Sequence, residues 1–188
     1  MMQWFQKRQD RKEAAAALYD AALARSRDPA YYRTFGVADT IDGRFDLLCL
    51  HTILLMDRLF MAGPEGRKLS QALFDKMFKM TALGLRESGV GDVGIPKHMQ
   101  KMMKAFNGRA QSYHDALVVD DDAALRHALA RNLYRQPEGE DAPACVAMAA
   151  HVFDIRDALK SSTLGDFMNG NIWFPPADLQ HKTEAAVA

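Results

Sequence analysis

Cysteine is scarce in this chain: two residues in 188, Cys49 and Cys145, far apart in apolar periodic segments. Such a pair sets up neither a disulfide framework nor a metal knuckle, and a free thiol in that setting behaves as a small hydrophobe. Long hydrophobic runs are missing as well. The longest stretch without Asp, Glu, Lys or Arg is Ala142 to Phe153, and it carries Pro143 and His151, well short of the roughly 20 apolar residues that span a bilayer. The opening residues MMQWFQKRQDRKEAAAA mix acids with bases, so they have neither an apolar signal core nor the acid-poor, Ser-rich character of a transit peptide, and a cytoplasmic location is expected. No run of four to eight β-branched or aromatic residues alternates with period two, which removes strands from the expected fold.

Net charge is also lacking, with 24 Lys and Arg against 24 Asp and Glu. The balance is uneven along the chain: Arg67 to Arg109 holds nine bases and three acids, Asp115 to Asp141 seven acids and three Arg. The length and the 48% apolar, 26% charged composition suit one globular domain.

What is present reads as helix. Trp4 to Arg27 is Ala-rich, with Phe5, Leu18 and Ala22 at helical spacing, and Pro29 ends it because the residue before a proline avoids helical geometry. Asp39 or Thr40 can cap a second helix, whose stretch Phe45 to Met61 is apolar on nearly every face and therefore central. AGPEG interrupts the chain. Arg67 to Ser88 then sets Leu69, Leu73, Phe74, Met77 and Met80 against Lys76, Lys79 and Arg86. A fourth helix runs from Pro96 to about Val119, a fifth follows Asp120 to Asp122, and CVAMAAHVFDIRDALKSS forms another core helix. The fold class expected is all-α, a single-domain bundle of about six helices. In the aromatic loop NIWF, Trp173 and Phe174 are expected to pack back onto the helices, each burying a large apolar area.

Residues 89 to 94, GVGDVG, match the spacing of a dinucleotide-binding fingerprint. That fingerprint needs a preceding strand, and what precedes Gly89 is helix. The alternative is a helix-to-helix corner made by Gly89, Gly91, Asp92, Gly94 and Pro96: a glycine just past a basic last turn is a left-handed cap, and proline suits the first turn of the next helix. Gly89, Gly91 and Gly94 are each expected to need glycine, through positive φ or close helix contact.

Catalytic chemistry finds no support. The six histidines include none with the Glu spacing of helical di-iron sites or zinc proteases, so no metal and no cofactor is expected. His51, near Asp46, Thr52 and Cys49 in the most buried helix, reads as a histidine satisfied by its neighbours. Methionine, by contrast, is abundant: eleven residues, five of them (Met77, Met80, Met99, Met102, Met103) in the helices flanking the corner. Each fits a core, but the set, rimmed by Lys97, Lys101, Lys104 and Arg109, also fits a groove for an apolar helix near negative charge.

The segments FDLLCLHTILLMDRL, LSQALFDKMFKMTALGLRESGVGDVGIPKHMQKMMKAFNGRAQSYHDAL and LARNLY together resemble the ubiquinol-cytochrome c chaperone family. The LRE-x-GVGD-x-G-x-PK corner and the following F-x-GR-x-x-x-Y segment are the most specific pieces, and Asn107 stands where many members carry an aromatic residue. The resemblance implies a non-enzymatic assembly factor for the cytochrome bc1 complex that binds newly made cytochrome b, with a ribosome or a small partner subunit as further partners. It divides the chain into an N-terminal helical extension (1–30), a chaperone-like helical domain (31–168) and an aromatic loop with a frayed tail (169–188). A bacterial member, peripheral to an anionic inner membrane, is expected; a eukaryotic one would sit on the matrix side. The expected partner surface is Lys97, Met99, Lys101, Met102, Met103, Lys104, Phe106, Arg109 and Tyr113. The rival reading is a small helical protein holding a quinone, heme or lipid near His51, Met56 and Cys49. A specific nucleic-acid partner is not expected, since aromatic platforms and a near-continuous basic stripe are missing.

Overall fold

Polar side chains set where the helices begin. In the computed structural model, which describes residues 2–177 with side chains from residue 6, helix α1 (Met2–Ser26) is followed at once by a short α2 (Pro29–Arg33). Asp28 caps α2 by accepting from the Ala30 N–H at 3.0 Å, so Pro29 ends one helix and also starts the next. Thr40 accepts from the Gly43 N–H at 3.1 Å and starts α3 (Ile41–Met61). As expected from a helix apolar on nearly every face, α3 is the centre of the bundle and packs on α1, α4 (Gly63–Glu87), α5 (Ile95–Val118) and α7 (Pro143–Lys160).

The AGPEG segment does break the chain, at Ala62, but from Gly63 onward it already belongs to α4. Its proline sits in the first turn of α4, where an absent N–H is not missed. The turn is tight enough that a Cβ on Gly66 would lie 2.2 Å from the Leu59 carbonyl oxygen, so α3 and α4 meet there at a distance only glycine permits.

The GVGDVG corner is helix-to-helix, and among the described residues there is no strand. Gly89 has φ +84, and a pair of reversed bonds closes α4: Val90 N–H to the Leu85 carbonyl and Gly89 N–H to the Arg86 carbonyl, both 3.0 Å. That is the Schellman arrangement, which satisfies carbonyls a helix end otherwise leaves bare. The expectation that Gly91 shares this need is corrected: it has no positive φ, and a Cβ there meets nothing within 4 Å. Gly94 has no positive φ either, but a Cβ there would lie a tight 3.3 Å from the Gly91 carbonyl oxygen. Asp92 pairs across the turn with Arg86 at 3.2 Å, and Pro96 lies in the first turn of α5. Gly89→Val is therefore expected to destabilise by about 1–3 kcal/mol, the penalty of a branched residue held at positive φ. Gly91→Ala should stay within about 0.5 kcal/mol. Thermal melts of the two variants check this, and equal losses would sink it.

Asp121 caps α6 (Asp122–Leu129) by accepting from the Ala124 N–H at 2.9 Å. Instead of ending as one helix, this segment widens into a π turn, Ala130–Tyr134, and stops at Arg135 in the left-handed region, φ +57. Thr163 and Asp166 cap each other at the start of α8 (Leu164–Met168). The aromatic loop behaves as two halves. Phe174 meets the His51 ring edge-on with centroids 5.6 Å apart, whereas Trp173, expected to pack, is 64% exposed. The frayed tail expected at the C-terminus lies outside the described residues.

Candidate functional surface

Helix α5 carries the residues singled out in the sequence, and the structure divides them. Phe106 is buried and meets Phe74 and Phe78 edge-on, both at 5.5 Å between centroids. Tyr113 is buried too, and desolvation pushes its phenol well above the ordinary range. Arg109 reaches inward to the buried carboxylate of Asp46 at 2.8 Å. These three, read as partner contacts, hold α5 onto α3 and α4 instead. The F-x-GR-x-x-x-Y segment that carries the family resemblance is thus a docking seam within the protein. Nothing in the structure requires glycine at Gly108, whose Cβ would face open space.

Asp46 is the hub of that seam. Arg109 donates to one carboxylate oxygen, while Arg135 donates to the other at 3.0 Å and to Asp42 at 2.7 Å. Burial pushes the Asp46 carboxyl up against the downward pull of both guanidiniums, the usual contest when an ion pair is desolvated. Sequence reading missed it because Arg109 and Arg135 lie a long way along the chain from Asp46.

The rest of α5 faces outward. Lys97, Lys101 and Lys104 are exposed and follow one another at helical spacing along its surface. Met99 and Met102 are half-buried against the core, and Met103 is 37% exposed. Met77 is fully buried, so the methionines grade from core to surface. Beside them, α3, α4 and α5 enclose a cleft of about 400 Å³ lined by Ile53, Met56, Phe60, Phe106 and Ala110, with Asn107 at its edge. Asp57 and His114, hydrogen-bonded to each other, separate it from a second apolar hollow between α3, α5 and α7. Phe60 and Met61 stand beside these hollows 56% and 70% exposed.

The pocket proposed around His51, Met56 and Cys49 does not form as one site. Met56 lines the cleft, while His51 and Cys49 are fully buried and do not. Both His51 ring nitrogens are engaged. Nδ1 lies 2.9 Å from the Leu47 carbonyl, which can only accept, so Nδ1 carries the proton. Nε2 then accepts from the Tyr31 hydroxyl at 2.9 Å, and the Tyr31 oxygen in turn accepts from His151 Nε2–H at 2.9 Å. Burial drives the His51 pKa down to about 4 and pushes the Tyr31 phenol and the Cys49 thiol far up. No lone pair on His51 is left for a heme iron. Among the described residues, no group of three His, Cys, Asp or Glu side chains could hold a metal ion, and no helix is long and apolar enough to cross a membrane.

Two similarities place this architecture among known proteins. The profile of a family described as ubiquinol-cytochrome C chaperone matches residues 33–174. A solved structure, the Cbp3 homolog from Brucella abortus, superimposes with a TM-score of 0.82 at 33% sequence identity, covering 95% of this chain and 98% of that one. No curated protein matches significantly.

Proposed function

Because the chain belongs to the ubiquinol-cytochrome c chaperone family, non-enzymatic factors for assembly of the bc1 complex, we propose that it holds newly made cytochrome b on the outer side of α5 and in the adjoining cleft. The observation that carries this is a hollow between three helices lined by the 56% exposed Phe60, with Met61, 70% exposed, at the neighbouring hollow and Met103 exposed on α5. Large apolar groups left in water at a helix-lined groove suit an amphipathic or membrane helix that has not yet reached its partners. Lys97, Lys101 and Lys104 frame the same helix with positive charge, which steers approach toward an anionic membrane surface or a ribosome. A small partner subunit is a further candidate for the remaining edge. The protein in this reading works at the membrane periphery.

Salt separates the two contributions. Lys101→Glu with Lys104→Glu should weaken association mainly at low ionic strength, since exposed charges are screened beyond a Debye length of about 8 Å at physiological salt. Met103→Ser with Phe60→Ser should reduce capture of cytochrome b at every salt concentration, by roughly tenfold if the pair holds one hot spot. Both variants should fold, because exposed substitutions usually shift stability by no more than about 0.5 kcal/mol. The measurement is the yield of b-type heme and of assembled bc1 complex in membranes of a strain that makes only the variant. Normal yields with both folded variants would remove α5 as the working surface, and normal assembly without the gene would remove the chaperone reading itself.

A further inference from the structure

A second charged surface lies on α1 and α4. Where α1 packs on α4, a groove of about 560 Å³ opens between them. Its walls carry Arg8, Arg11 and Lys12 from α1 and Lys68, Lys76 and Lys79 from α4, against the single carboxylate of Asp75. The floor is alanine: Ala15, Ala16 and Ala72. In a chain whose bases and acids are equal in number, six bases on one groove are a concentration that folding creates.

The spacing explains how. Arg8, Arg11 and Lys12 fall three and four residues apart, on one stripe of α1, and Lys68, Ala72, Lys76 and Lys79 do the same on α4. Neutralisation within the groove is partial. Glu65 takes Arg11 at 3.2 Å and Lys68 at 2.6 Å, while the Lys76 ammonium stands 5.7 Å from the centroid of the Tyr19 ring. Lys12 and Lys79 are exposed, and neither joins any ion pair formed among the described residues.

We infer that the α1–α4 groove is a docking site for the anionic phospholipid headgroups of a membrane surface. Three observations select this occupant. Small alanines between two rows of bases leave room for phosphate groups to approach both walls. The groove lining has no aromatic side chain, which takes away the stacking platform a single-stranded nucleic acid uses. And the residues just before the basic row include Trp4 and Phe5, residue types that helices lying in a bilayer interface use against the lipid. With no described helix able to cross the membrane, contact of this kind is made at its surface. The inference rests on the proposed work at the membrane periphery, and it adds α1 and α4 to the positive charge already proposed on α5.

The test is partition of the full-length protein onto vesicles of phosphatidylcholine with and without about one third phosphatidylglycerol, at low and at high salt. The wild type is expected to bind the anionic vesicles at low salt and to leave them at high salt. Lys12→Glu with Lys79→Glu should weaken that binding by about tenfold or more, and Lys12→Gln with Lys79→Gln by less, both with unchanged melting temperature. Lys97→Glu with Lys101→Glu, on α5, should weaken it less than the groove pair does. Millimolar inorganic phosphate should not compete, because a surface presents many headgroups at once. The inference is overturned if the wild type ignores anionic vesicles, if the groove variants bind like wild type while the α5 variant fails, if free phosphate displaces the vesicles, or if polyuridine RNA binds the groove more tightly than they do. Client capture in detergent keeps the two readings apart: the groove variants should still capture cytochrome b there, so loss of vesicle binding alone leaves the chaperone reading standing.

Discussion

Asp46→Ala is expected to lower the melting temperature by roughly 10 °C. The carboxylate is 2% exposed and holds Arg109 on one oxygen and Arg135 on the other. Removing it leaves the Arg109 guanidinium, itself only 13% exposed, without its counter-ion, and its Nε already has no partner. Breaking a buried pair from one side costs about 3–5 kcal/mol, and in a chain of this size each kcal/mol moves the midpoint by about 2–4 °C. The damage has a location as well as a size. Arg109 ties α5 to α3, and Arg135 ties the end of the π turn to the start of α3, so α5 should lose its seat and client capture should fall with stability. Asp46→Leu combined with Arg109→Met should be less harmful than the sum of its parts, since the stranded charge is then gone. A melting point for Asp46→Ala within about 3 °C of wild type would show that the seam holds without its ion pair.

Stability should fall as the pH is lowered from about 6.5 towards 4, and His51→Leu should flatten that fall. The sign follows from the direction of the shift. Burial holds the His51 pKa down to about 4, while the unfolded chain returns it to about 6.5. Between those values the unfolded state binds a proton that the folded state refuses, so acid favours unfolding. The contribution is complete above the unfolded value and is lost on descent through the window, about 2 kcal/mol of it by pH 5. Protonation would also break the local pattern. The charged ring has two N–H donors, yet the Tyr31 oxygen already accepts from His151, and its own hydroxyl proton would face another proton on His51. His51→Leu should be less stable at pH 7.5, because the Tyr31 hydroxyl loses its acceptor, but its stability should vary less with pH. Denaturant titrations of both proteins from about pH 7.5 to 5 give the slopes, and parallel curves would refute the assignment.

Much of the architecture was legible in the linear chain because it depends on neighbours a few residues apart. Thr40 and the acidic run before α6 announce helix starts through side chains that reach backbone N–H groups three residues on. Gly89 announces a helix end because no other residue takes φ +84 without strain. The all-apolar character of Phe45 to Met61 marks the helix that ends up covered on every side. The GVGDVG corner and the F-x-GR-x-x-x-Y segment mark the family in the linear chain itself.

The functional faces were less legible, and for one reason. Helical periodicity tells which residues share a stripe but not what covers it. Phe106, Arg109 and Tyr113 form such a stripe, and only the arrival of α3 and α4 makes it interior, because Asp46 lies 63 positions from Arg109. Lys97, Lys101 and Lys104 share a helix with them and stay in water. Trp173 and Phe174 are adjacent and apolar, yet one ring reaches His51 and the other does not. The groove between α1 and α4 has no local signature, since its two basic rows are separated by more than fifty residues and each alone resembles an ordinary solvated helix face. Taken by itself, then, the order of residues determined an all-helical fold, the positions of its caps, its buried central helix and its family. The tertiary structure alone decided which face of α5 is free, which arginine is a keystone and where positive charge gathers, because burial and electrostatic fields depend on distances in space that helical spacing along one element does not specify.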